Sequence, residues 1–159
     1  MGAAIKAGLG LTAIIWVMQI GWILCGLHER IFLGLLFVVI AIVLNVLALV
    51  WALRQTRQQN GYGKQFLCAV VMGVVAAVAI CGVSMVSYTV LFPEAIDEQK
   101  AAVIDWLEGS SMPEQVRAAQ IKKTESTTAL ASAMQGLYGT VGTSVIVGAI
   151  VAAFVRKKN

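Results

Sequence analysis

Four long apolar runs without a charged side chain constrain this sequence more than any other feature. They cover residues 7–27, 31–53, 66–92 and 134–155. A helix needs roughly 20 apolar residues to cross the hydrocarbon core of a bilayer. Because lipid offers no hydrogen bonds, backbone groups inside it must pair within their own segment, which favours helices. The runs predict an all-α, polytopic protein with four transmembrane helices in one membrane domain, residues 1–159.

Charged residues are placed unevenly on the two sides that these runs define. All eight acids lie on the side opposite the two termini. Lysine and arginine close to helix ends retain short loops in the cytoplasm. We therefore predict that both termini, and the loop between the second and third helices, are cytoplasmic. The bases on the predicted cytoplasmic side are Lys6, Arg54, Arg57, Lys64, Arg156, Lys157 and Lys158, and those opposite are Arg30, Lys100, Arg117, Lys122 and Lys123.

One sizeable polar segment, residues 93–133, separates the third and fourth runs. Near its start, helical spacing of Ile96, Val103, Ile104 and Leu107 predicts a short amphipathic helix that ends near Gly109. Residues 111–114 resemble a capping box and predict the start of a second short helix. The apolar face either packs on the membrane or the helix bundle, or forms an outer docking surface for a partner. Its residues are Ile96, Val103, Trp106 and Leu107.

Small residues recur on one face of the third run and of the fourth. Small side chains let membrane helices approach closely, which is how such helices associate within lipid. Both rows either pack on each other inside one bundle or form the interface of an oligomer. The row in the fourth run is Gly136, Thr140, Ser144, Gly148 and Ala152, widened by Gly139, Gly142 and Thr143; the row in the third is Ala69, Gly73, Ala77 and Cys81.

Two amide side chains, Gln19 and Asn45, lie inside the first two runs. Their depths in the membrane differ by roughly 9 Å at the rise of an α-helix, so we do not expect them to pair directly. Each amide either bonds a neighbouring helix or contacts a substrate or ion. In the second case Ser84 and Thr140 would join them along a polar path.

Features that would indicate catalysis or metal binding are sparse. The cysteines Cys25, Cys68 and Cys81 form no CxxC pair, and His28 is the only histidine. The acids Glu94, Asp97 and Glu98 favour a solvated helix start over an ion site. We predict no cofactor, no metal and no enzymatic activity. Nucleic acid is not an expected partner, because the basic residues flank apolar runs.

Six short stretches spread over nearly the whole chain form a recognisable layout. They are Lys6-Ala7-Gly8, Gly61 to Phe66, Val70 to Gly73, Leu91 to Glu94, Met112 to Gln115, and Ala152 to Lys158. This layout resembles the bacterial membrane family known as domain of unknown function 4199. The resemblance implies a bacterial inner membrane protein and supplies no site residues, because the family's function is not established.

These features together favour a small non-enzymatic membrane protein, a scaffold or accessory subunit of a membrane assembly. Its partners would be the lipid bilayer and either itself or another membrane protein. The alternative is an oligomeric permease for a small solute or an ion. Transporters usually carry an ionisable group inside the membrane, and the four runs contain none.

Overall fold

The computed structural model describes residues 2–56 and 61–155, and within these ranges every regular element is helical. This confirms the all-α fold with four helices long and apolar enough to cross a membrane. The bases Arg57, Arg156, Lys157 and Lys158 lie outside the described residues. The helices are α1 (Gly2–Leu24), α2 (Ile31–Gln55), α3 (Tyr62–Val86), α4 (Ala95–Glu108), α5 (Glu114–Glu125) and α6 (Ala129–Val155).

Helices α1 and α6 begin before the apolar runs that predict them. Helix α1 begins at Gly2, and α6 begins at Ala129, five residues before its apolar run. Hydropathy marks only the part of a helix that suits lipid. Alanine, the strongest helix former, recurs in both added stretches and continues the same hydrogen bonding beyond the runs. Helix α1 ends at Leu24 because Gly26 adopts a left-handed conformation, with φ of 66°, and a 3-10 turn follows at Leu27–Glu29.

Helix α3 continues into a π-helical turn at Ser87–Leu91 and stops before Pro93, as predicted. The Phe92 N–H donates to the Ser87 carbonyl oxygen at 2.8 Å, which closes the wider turn. Trp16 donates from Nε1 to the Ser87 hydroxyl at 3.0 Å. This bond ties α1 to α3 at a serine that is fully buried.

Around the bundle, α1 lies beside α2 and α3, and α6 lies beside α2 and α3. We call α4 and α5 together the insert. The end of the bundle that carries Gly2 and Val155 is the terminal end, and the end next to the insert is the insert end. The terminal end has a dense core of large side chains that expose 2% or less of their surface. Gln65 closes it by donating from Nε2 to the Leu53 carbonyl oxygen at 3.2 Å. The core side chains are Leu11, Leu49, Leu53 and Met72.

The polar segment folds over the insert end as two helices. Ile96 and Leu107 of α4 are buried, at 7% and 4% exposure, so they face the protein and are not available to a partner in this conformation. Trp106 remains 43% exposed. Gly109 caps α4 as predicted. The prediction of a capping box is wrong. The N-cap residue of α5 is Pro113, and no side-chain hydrogen bond caps this helix.

Candidate functional site

A cavity of about 570 Å³ lies at the insert end, between the four long helices and the insert. Ligand pockets in proteins typically measure about 300–1,000 Å³. The lining includes every residue of the polar path predicted from the sequence, which are Gln19, Asn45, Ser84 and Thr140. The site is therefore built by side chains from all four spans.

The α1–α3 wall of the cavity is polar because Gln19 is buried there beside hydroxyl groups. Ser84 donates from Oγ to Gln19 Oε1 at 3.3 Å. The Tyr88 side chain, which the π-helical turn carries, lines the same cavity. Gln19 therefore bonds a neighbouring helix, which is one of the two roles expected for it, while also facing the cavity.

Asn45 forms the floor of the cavity together with α6. Its Nδ2 donates to the Thr140 carbonyl oxygen at 3.5 Å, and Ser144 donates from Oγ to Asn45 Oδ1 at 3.3 Å. Asn45 is 4% exposed and Ser144 is fully buried. Gln19 thus pairs with α3 and Asn45 with α6, in agreement with their difference in depth. Below this floor the large core residues fill the terminal end, so the cavity is closed in that direction.

The predicted rows of small residues face each other at the terminal half of the α3–α6 contact. A Cβ added to Gly148 would lie 2.6 Å from Ala69 Cβ, and one added to Gly73 would overlap Ser144. Ala77 and Ala152 are fully buried, and Cys81 is partly buried. These close approaches place the inner part of both rows within one chain.

The same row on α6 behaves differently at the insert end, where it borders the cavity. Gly136 is exposed, and a Cβ added there would meet only Ile80, at 3.9 Å. A Cβ added to Gly139 would meet nothing within 4 Å. Thr140 and Thr143 complete this face. Missing side-chain volume on α6 therefore creates much of the open space.

Comparison with known proteins identifies the family but no activity. The sequence profile of a family described as protein of unknown function, DUF4199, matches residues 7–157, a range that includes the four spans, the cavity and the insert. This chain belongs to the DUF4199 family. The match confirms the resemblance expected from the sequence. No curated protein and no solved structure matches the chain.

Among the cavity residues of this DUF4199 protein that the sequence did not single out, Lys100 is the charged one. Lys100 lines the cavity, yet in the sequence it counted only toward the charge balance. It lies four residues after Ile96 and three before Val103, which line the same cavity. That spacing puts all three on one face of α4, so the helical pattern itself carried the signal.

The only histidine of this DUF4199 protein, His28, links the turn between α1 and α2 to α4. His28, Glu29 and Glu98 place possible metal-ligand atoms within 4.8 Å of one another. His28 Nε2 is 2.7 Å from Glu98 Oε2, and Nδ1 is buried with no hydrogen-bond partner among the described residues. A metal-bound histidine normally donates its second ring N–H to an acceptor. This geometry suits an Nε2–H···O bond better than a metal ion.

Proposed function

We propose that the chain is a non-enzymatic protein of a bacterial inner membrane that binds an amphipathic molecule in the cavity at its insert end. The observation that carries the proposal is the cavity itself, where Gln19, Asn45, Ser84 and Thr140 converge beside apolar side chains of α2. Ligand sites commonly combine an apolar lining with a few placed polar groups. A ligand with a polar end and an apolar chain fits such a surface.

The composition of the lining supports the absence of enzymatic activity. Its hydroxyl and amide groups include Ser84, Tyr88 and Ser132, but no histidine, cysteine or carboxylate side chain lines the cavity among the described residues. A hydroxyl nucleophile needs a neighbouring general base to be activated. The one amine of the described lining, Lys100 Nζ, bonds Asp97 Oδ1 at 3.0 Å and not a hydroxyl. The arrangement suits recognition by hydrogen bonds.

A photolabelling experiment with two glycine variants tests the proposal. Protein in lipid nanodiscs would be irradiated with hexadecanol that carries a diazirine on its chain, and labelled peptides would be located by mass spectrometry. We expect labels on cavity residues of the wild type. Gly139→Leu extends a side chain into the cavity and should lower labelling about tenfold, because overlap with a bound chain costs about 1–3 kcal/mol.

Gly142→Leu is the matched control for that experiment. It makes the same change three residues away on α6, where a Cβ also meets nothing within 4 Å, and Gly142 does not line the cavity. Labelling should stay at the wild-type level. Equal labelling of all three proteins, or labels spread evenly over lipid-facing residues, would contradict binding in the cavity.

A scaffold or accessory subunit is a second candidate, and one observation favours it. Trp106 and Val116 are 43% and 48% exposed on α4 and α5, outside the four spans. Aromatic side chains are enriched at protein interfaces. Purification of the chain with a stoichiometric second protein, lost in Trp106→Ala, would support this role; retention of that protein in the variant would exclude Trp106 as its contact.

The permease alternative is disfavoured by the packed terminal end. A solute would have to pass the layer of Leu11, Leu49 and Met72, whose side chains expose 2% or less of their surface. A binding protein needs no passage through that layer.

A further inference from the structure

The lining of the cavity offers polar side chains next to the insert and an apolar face along α2. Near the insert it contains the polar side chains of Gln99, Lys100 and Thr127. Deeper, α2 contributes the apolar side chains of Phe37 and Ala41. A ligand that matches this order has a polar head under the insert and an apolar chain along α2.

The charge of the cavity selects the kind of head. Lys100 is the only charged side chain in the described lining, and no carboxylate lines the cavity. Its Nζ bonds Asp97 at 3.0 Å, but the Asp97 side chain is 79% exposed while that of Lys100 is 23% exposed. Such exposed ion pairs contribute little, so an anionic group of a ligand could replace Asp97 at low cost.

The cavity also opens to the side, between the insert-end halves of α2 and α6. Val38 and Ile42 line it and yet are 52% and 45% exposed. On the facing side, Gln135 and Gly139 line it and are exposed as well. These residues belong to two membrane-spanning helices, so the opening faces lipid. A ligand chain could reach the cavity directly from the bilayer.

We propose that the ligand is an anionic amphiphile of the leaflet at the insert end. Its phosphate or carboxylate head binds Lys100, and its chain lies in the opening between α2 and α6. This inference rests on the proposed function and adds the charge and the source of the ligand. The reason for the anionic head is the positive charge of Lys100, because its partner Asp97 does not line the cavity and no carboxylate of the described lining neutralises it.

The test compares two competitors with the same chain and different heads. Hexadecyl phosphate and hexadecanol would each compete with the diazirine label in nanodiscs. In the wild type we expect hexadecyl phosphate to compete about tenfold better, which is the scale of a hydrogen bond to a charged group. In Lys100→Gln that preference should disappear, while Lys100→Arg should keep it.

Lys123→Gln controls for the overall charge of the insert. Lys123 is exposed on α5 and does not line the cavity, so the preference should survive this change. Loss of the preference in Lys123→Gln as well would overturn the inference, because the effect would come from net charge. Equal competition by the two compounds in the wild type would also overturn it, while leaving cavity binding intact.

Inorganic phosphate distinguishes a free anion from a lipid-like one. We expect it to compete at least tenfold less well than hexadecyl phosphate, because it cannot use the apolar part of the cavity. Competition as strong as that of hexadecyl phosphate would mean that the site takes a soluble anion, contrary to the inference. Failure of both long-chain compounds to compete would overturn the proposed function itself.

Discussion

Replacing Gly148 by leucine is expected to lower the free energy of unfolding by about 3 kcal/mol. The new Cβ would lie 2.6 Å from Ala69 Cβ and the rest of the side chain would have to push α3 and α6 apart. Overpacking of a tight interior typically costs about 1–3 kcal/mol, and here a backbone approach is lost as well. Unfolding of the purified protein in mixed micelles by increasing fractions of SDS measures the change.

Gly142→Leu is again the matched control, since the same substitution on the same helix meets open space. Its unfolding free energy should stay within about 1 kcal/mol of the wild type, the size of the difference in helix propensity. The assembly state should be the same in both variants. A Gly148→Leu protein with normal stability but altered assembly would show that Gly148 lies between chains, contrary to the packing described.

Replacing Leu49 by alanine is expected to cost about 2–4 kcal/mol of unfolding free energy. Leu49 is fully buried, and its Cδ1 lies 3.7 Å from the position of a Cβ on Gly148. Truncation leaves a cavity in the terminal end, where the surrounding helices are too closely packed to fill it. The same SDS titration measures the loss.

Leu47→Ala is the control for that experiment, two residues away on α2. Leu47 is 59% exposed, which places it toward lipid in a membrane-spanning helix. Because lipid fills the space that the truncation vacates, the change in stability should be below about 1 kcal/mol. Equal losses in the two variants would contradict the assignment of one face of α2 to the core.

The fold could be predicted from the sequence because lipid imposes a simple rule on long uncharged segments. Each apolar run had to form a helix. The run 31–53 agrees closely with α2, and the run 66–92 agrees with α3 and its π-helical turn. The contact of Gly148 with Ala69 could also be anticipated from the sequence, since the small residues of both rows repeat every four residues. Such features are predictable because each is determined by the sequence of one segment, or by two segments that carry the same pattern of small residues.

The cavity and the insert could not be predicted in the same way. Whether Ile96 and Leu107 face a partner or the bundle depends on where α4 lands, and local spacing does not specify that. The different behaviour of Gly139 and Gly148 has the same origin. Both are small residues of one helix, but a Cβ on Gly139 would meet nothing within 4 Å while one on Gly148 would lie 2.6 Å from Ala69 Cβ.

The proposed source of the ligand depends on which face of the membrane carries the insert. Basic residues at the terminal end, among them Lys6, Arg54 and Lys64, support a cytoplasmic terminal end. The insert, the cavity and Lys100 would then face outward. The opposite orientation would place the opening in the cytoplasmic leaflet.

Cysteine labelling in intact cells tests this orientation most directly. In a background without Cys25, Cys68 and Cys81, single cysteines would replace Ser111 in the insert and Lys64 at the terminal end, both exposed. A maleimide that cannot cross the membrane holding the protein should modify Ser111→Cys at once and Lys64→Cys only after lysis. Labelling of Lys64→Cys in intact cells, with Ser111→Cys protected, would contradict the account.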